Sequence, residues 1–164
     1  VSLAEIPRGG RVFLDASIFL HHFLGASAEC RSLLERCERA EVRGLTSALV
    51  VAEVSGRLLR LEAAAQGHAE TEGDLRERPE LLQKLHLHEE VATQIPLMGI
   101  EVLPLDLRVL LKAAALRRRP GLLVGPSLVA AGAREAGIGA LATAEAGFER
   151  VEGLAVYRPS DLDN

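Results

Sequence analysis

Residues 11–19, RVFLDASIF, place an acid at the end of a short apolar run. Val12, Phe13 and Leu14 are apolar, Asp15 follows, and a second apolar run begins at Ile18. A continuous apolar run this short predicts a strand buried on both faces, most often in a parallel sheet. In open α/β sheets ligands bind beyond the carboxyl ends of the strands, which places Asp15 for chemistry. The same position is the N-cap of a following helix, where Asp is favoured because it accepts the free N–H groups of the first turn. This stretch alone supports both readings.

Short apolar runs recur at 100–103, 140–142 and 154–157, with amphipathic segments between them. Helices are expected over 18–24, 28–40, 46–67, 80–95, 105–119 and 126–136. In the second of these, Cys30, Leu33, Leu34 and Cys37 share a face behind an N-cap at Ser27. In the third, Thr46 is the expected N-cap, and Leu45, Leu49, Ala52, Gly56, Leu59 and Ala63 form the buried stripe. Glu53 flanks that stripe; it reads either as a surface partner of Arg57 or as an acid facing a cleft. In the fifth, Leu107, Leu110, Leu111 and Ala114 are expected to point inward. Its last turn, Arg117-Arg118-Arg119, complements the helix dipole, a simpler account than an RNA clamp. The sixth opens at Pro126, since proline is favoured at the first helical position. Residues 67–79 are charged and poor in apolar side chains, and read as an exposed loop. Strands alternating with helices predict an α/β fold, with a mainly parallel sheet covered on both faces, in a single domain over residues 1–164.

Hydrophobic residues make up 48% of the chain and aromatics only 3%, so the core must be built from Leu, Val and Ala. Helices of that composition leave apolar surface that a small domain does not cover alone, which predicts a homodimer. The net charge of −4 argues against wholesale coating of nucleic acid but leaves room for a local basic groove. Cys30 and Cys37, two helical turns apart, are too distant for a disulfide within one helix. A reducing cytoplasm fits them. His21 and His22 are adjacent and His86 and His88 are two apart, poor spacings for a metal pair on a helix. No signal peptide is visible and no apolar run reaches the length of a membrane span. The chain opens on Val1, so an initiator methionine is expected to have been removed or the sequence trimmed.

The acid after the first strand, the acid in a helix that follows a Thr-Ser start, and Thr143-Ala144-Glu145 after a late strand form an ordered set. In this order the chain resembles the PIN-domain family, in particular the VapC-like toxin ribonucleases. RVFLDASIFL resembles their first-strand motif, TSALVVAEV their second, and residues 122–159 their C-terminal half. The resemblance implies a three-layer α/β/α sandwich with a central, mainly parallel sheet. It implies hydrolysis of RNA by acidic residues that hold Mg²⁺ or Mn²⁺, and a homodimer with a small antitoxin partner. Asp15, Glu53 and Glu145 match the catalytic metal carboxylates, and Thr143 the position near a bound water or phosphate.

Four positions depart from the family pattern. Gly125-Pro126-Ser127 stands where members carry an acid at a helix start, Glu145 stands for the usual Asp, and Ala144 and Gly147 replace a nearby Asn and a second Asp. A degenerate site is therefore expected, one that binds metal weakly while the N–H groups of Ser127 and Leu128 hold a phosphate of RNA. Two functions remain: a metal-dependent ribonuclease of toxin–antitoxin type, and a catalytically inactive module that binds RNA or protein. Retained Asp15 and Glu53 favour the first; Pro126 and the other losses tilt the chemistry slightly to the second. A haloacid-dehalogenase-type phosphatase needs a second Asp where Ser17 stands, and a response-regulator receiver needs an acid pair that is absent. A phosphate-binding glycine loop is also absent between the first strand and its helix.

Overall fold

The computed structural model describes residues 1–67 and 72–162. Five strands, β1 (Arg11–Leu14), β2 (Arg43–Ser47), β3 (Glu101–Leu103), β4 (Ala140–Ala142) and β5 (Ala155–Tyr157), form one sheet in the order β3-β2-β1-β4-β5. Every neighbouring pair is parallel, with Phe13 in register with Leu45 on one side and Leu141 on the other. The chain builds outward from β1 to β3 and then crosses back to β4. The reversal between β1 and β4 is a topological switch point, where the carboxyl ends of two adjacent strands open a crevice.

Among the described residues eight α-helices accompany the sheet: α1 (Ala16–Phe23), α2 (Ala28–Glu38), α3 (Ala48–Ala65), α4 (Glu72–Glu77), α5 (Pro79–Leu82), α6 (Leu87–Leu97), α7 (Leu107–Arg118) and α8 (Val124–Glu135). Alternation along the strands divides them between two faces. Phe13 meets Gly132 of α8, while Leu14 and Cys37 of α2 both approach Gly44. The result is the three-layer α/β/α sandwich expected from the sequence. Its core is aliphatic around Phe13, Phe19 and Phe148. Cys30 and Cys37 are buried and unbridged, and burial pushes both thiols up to about 11.

Several local expectations need correction. Strand β2 was not anticipated, because it runs into α3 without a loop and only Thr46 in it is β-branched. Ser47, not Thr46, is the N-cap, its hydroxyl accepting the Val50 N–H, while the Thr46 hydroxyl donates to the Leu14 carbonyl. The buried stripe of α3 is Val50, Val54, Leu58 and Ala63, shifted from the expected one. Gly44 is a strand residue: an added Cβ would lie 2.8 Å from the Cys37 sulfur.

Of the loop expected over 67–79, residues 68–71 lie outside the described residues, whereas Glu72–Glu77 is helical. Buried Leu75 joins Ala63, Leu81 and Leu85 in a small second core. The helix expected over 80–95 is two helices, and Glu62 of α3 makes the break tolerable by accepting the His86 and Leu87 N–H groups at the start of α6. Helix α7 buries Val109, Ala113 and Leu116 and leaves Leu107, Leu110 and Leu111 exposed, the reverse of the expected face. Helix α8 begins two residues early, so Pro126 is its third residue.

Candidate active site

Asp15 follows β1 at the switch point and occupies the N-cap position of α1, yet its side chain makes no capping hydrogen bond. It is 4% exposed. Its Oδ2 accepts two hydrogen bonds, from Ser17 Oγ at 2.8 Å and from Thr143 Oγ1 at 2.8 Å. Each hydroxyl is in turn held by the main chain beyond β4: Ser17 Oγ accepts the Ala144 N–H at 2.9 Å, and Thr143 Oγ1 accepts the Glu145 N–H at 3.0 Å. A buried carboxylate with one oxygen wired this way is oriented, and the other oxygen has no hydrogen bond among the described residues. The capping alternative is thereby set aside. Ser17 escaped the sequence reading, which weighed that position only as a missing Asp; the D-x-S spacing was the available signal.

Glu53 lies in the second turn of α3 with its side chain 34% exposed. Loss of water raises its pKa, the Asp15 charge adds to the rise, and Arg57 and Arg60 oppose it. Arg57 Nε lies 3.7 Å from Glu53 Oε1, so the surface pair exists as well. Glu145 stands at the exposed rim, just after Thr143. Its pKa is also raised, by partial desolvation first, then by the charges of Asp15 and of Glu53, against Arg57. The three carboxylates thus sense one another across the crevice and carry an excess of negative charge.

A divalent cation would offset that excess. Carboxylate oxygens are the donors that Mg²⁺ and Mn²⁺ take, and Mg²⁺ characteristically uses one or two of them and keeps several waters. The donor set therefore fits such a cation. Among the described residues no group of three or more His, Cys, Asp or Glu side chains is placed to hold a metal ion, so no more than two of the three carboxylates could ligate one cation directly as they stand.

Across the crevice the opening of α8 offers no charge. Leu123 is its N-cap, with no side chain able to cap. The Ser127 N–H donates to the Leu123 carbonyl and its Oγ to the Val124 carbonyl, both at bonding distance, and Ser127 is fully buried. The expected use of Ser127 as a phosphate donor fails on this geometry, since both of its donors are spent inside the helix.

Comparison with protein families matches residues 12–154 to the PIN domain. Solved structures share the fold at low identity. VapBC2 from Rickettsia felis, bound to a DNA fragment from its promoter, aligns over 92% of this chain and 99% of its own at 17% identity and TM-score 0.57. FitAcB from Neisseria gonorrhoeae aligns over 89% and 96% at 19% identity and TM-score 0.59. VapC20 of Mycobacterium tuberculosis, a toxin that cleaves the sarcin–ricin loop, aligns over 79% and 86% at 15% identity and TM-score 0.53. No functionally curated protein matches the chain. With an acid held at the switch point of a five-stranded parallel sheet and the match spanning nearly all of it, the chain belongs to the PIN domain family.

Proposed function

We propose that this protein is an Mg²⁺- or Mn²⁺-dependent endoribonuclease of toxin type, acting through Asp15, Glu53 and Glu145. The observation that carries the reading is Asp15: buried, held through one oxygen by Ser17 and Thr143, and near two further carboxylates whose pKa values are raised by partial burial first and by its charge second. Burying a carboxylate costs free energy unless it is compensated, so one fixed beside two others points to a cation-dependent role.

A bound divalent cation would supply a nucleophilic hydroxide at neutral pH and screen the phosphate. Asp15 would hold the cation through its unbonded oxygen, with Ser17 and Thr143 fixing the direction of that oxygen. Glu53 and Glu145, which do not both stand close enough to share one cation with Asp15 directly, would reach it through bound waters, and one of them, its pKa raised, would accept the proton of the attacking water. The water oxygen forms a bond to phosphorus, one ester P–O bond breaks, and the leaving oxygen takes a proton. The expected contact of Thr143 with a bound water or phosphate does not fit its place: it is fully buried and its hydroxyl proton is given to Asp15, so it would act by holding that carboxylate.

The apolar outer face of α7, with Leu107 at 68% and Leu111 at 67% exposure, supports a homodimer. The toxin–antitoxin names of the structural neighbours support a small antitoxin-like partner. Among the described residues no helix is long and apolar enough to cross a membrane. The unbridged cysteines support a reducing cytoplasm as the compartment. Incubating labelled RNA with MnCl₂ and either wild type or Asp15→Asn tests the activity. Cleavage by wild type alone supports it. RNA binding without cleavage by wild type would replace it with the inactive-module reading, which the neutral opening of α8 favours.

A further inference from the structure

We propose that Arg158 is a positioning residue that holds Asp15 in its working orientation through the main chain of the loop between them, an inference that rests on the ribonuclease reading for the use of Asp15. Strands β4 and β5 are parallel and in register, Ala142 beside Tyr157, so Thr143 and Arg158 follow them side by side at the carboxyl edge. The Thr143 N–H donates to the Tyr157 carbonyl at 3.0 Å. Arg158 is itself fixed in the main chain. Its N–H donates to the Val1 carbonyl at 2.8 Å, its carbonyl accepts the Leu3 N–H at 3.2 Å, and Pro159 restricts it to extended backbone. From there its side chain turns over the loop beyond β4, where Nη2 donates to the Ala144 carbonyl at 3.1 Å. Ala144 has no polar side chain, so its peptide groups are the handle it offers.

That contact completes a chain of donors running in one direction. The Ala144 carbonyl shares a peptide unit with the Glu145 N–H, which donates to Thr143 Oγ1 at 3.0 Å, and Thr143 Oγ1 in turn donates to Asp15 Oδ2 at 2.8 Å. A cation stands at one end and a buried carboxylate at the other, and hydrogen bonds in such a series polarise one another. Among the described residues Asp15 accepts only from hydroxyl groups, so the relay brings it the pull of a cation that it does not touch. Ala144 also donates its N–H to Ser17 Oγ, the second hydroxyl on Asp15. Both arms of the Asp15 network therefore pass through the residue that Arg158 grips. The alternative is a surface arginine paired with Glu149, whose Oε1 lies 3.4 Å from Nη1. Exposed pairs of this kind stabilise little. Arg158 Nε argues against that alternative: it is buried with no partner among the described residues, a cost that an arginine extended toward Glu149 in water would not carry.

The test combines amide NMR of metal-free, nitrogen-15-labelled protein with calorimetric Mn²⁺ titration. The proteins are wild type, Arg158→Gln, Arg158→Lys and Glu149→Gln, with Arg158→Met in place of the Gln variant if thermal melting shows that one unfolded. In Arg158→Gln the Glu145 amide proton should move upfield, and the Ala144 and Glu145 amides should exchange several-fold faster. Mn²⁺ affinity should fall about 5-fold, less than the roughly 10-fold or more that losing a direct partner of a metal ligand costs. Arg158→Lys keeps a cation that can donate to the Ala144 carbonyl and should recover most of both effects, which a merely structural role would not. Glu149→Gln should match wild type. Unmoved Ala144 and Glu145 amides in Arg158→Gln overturn the relay, as does a Lys variant no better than the Gln variant. Wild-type Mn²⁺ affinity in Arg158→Gln, or an equal loss in Glu149→Gln, overturns the positioning role. If the amides respond as expected but wild type neither binds Mn²⁺ nor cleaves RNA, the ribonuclease reading is refuted and the relay stands.

Discussion

The two walls of the crevice are built to opposite rules. On the β1–β4 side, a buried acid, two hydroxyls and two main-chain amides form a closed network in which Ser17 and Thr143 each donate once and accept once. On the α8 side, Ser127 turns its donors inward and Pro126 contributes neither charge nor N–H. The first wall spends stability on keeping a charge out of water; the second spends nothing and offers nothing. A site that holds a cation from one side only is expected to hold it weakly.

The largest effect should come from the wired wall. Asp15→Asn should weaken Mn²⁺ binding by about 10-fold or more and abolish cleavage, read by calorimetry and by labelled RNA. Ser17→Ala comes next. It removes a donor to Asp15 and the acceptor of the Ala144 N–H, and should cost about 1–2 kcal/mol in urea unfolding together with a loss of Mn²⁺ affinity. An unchanged metal affinity in this variant would mean that the network is scaffolding alone. Pro126→Asp probes the empty wall. It should tighten Mn²⁺ binding and raise cleavage, with a stability change within about 1 kcal/mol, since an acid is favoured in the first turn of a helix.

The smallest effect concerns pH. The raised pKa values of Glu53 and Glu145 mean that the folded state binds protons more readily than the unfolded chain. Their charging therefore costs stability as pH rises from the ordinary glutamate range through the raised folded values, and that cost is absent at lower pH. Glu145→Gln should accordingly raise the Tm slightly at pH 7 and leave it unchanged near pH 4. Mn²⁺ should raise the wild-type Tm at pH 7 and lose that effect on acidification. A Tm that falls for Glu145→Gln at pH 7 would show that Glu145 is compensated rather than strained.

The parts of this picture that were legible in the sequence are those in which one residue type has one reason to be present. Val12-Phe13-Leu14 followed by Asp15 gave the central strand and its acid, and Ser27 before Cys30 gave the start of α2, where its hydroxyl accepts the Cys30 N–H. Strand β2 was hidden because Ser47 is both its last residue and the cap of α3, so the helical pattern overran it. The face of α7 was misread because both of its sides are apolar. Packing against α8 selected Val109 and Ala113, whose small side chains allow close approach, over the leucines. Ser17 was legible only once Thr143 and Ala144, distant in the chain, were seen to meet it.

The most direct measurement is a calorimetric Mn²⁺ titration of wild type, Asp15→Asn and Pro126→Asp under one buffer condition. A crevice armed on one wall predicts measurable but weak binding to wild type, loss in Asp15→Asn and tighter binding in Pro126→Asp. Equal binding by all three proteins would contradict it, because the cation would then be held somewhere other than between these two walls.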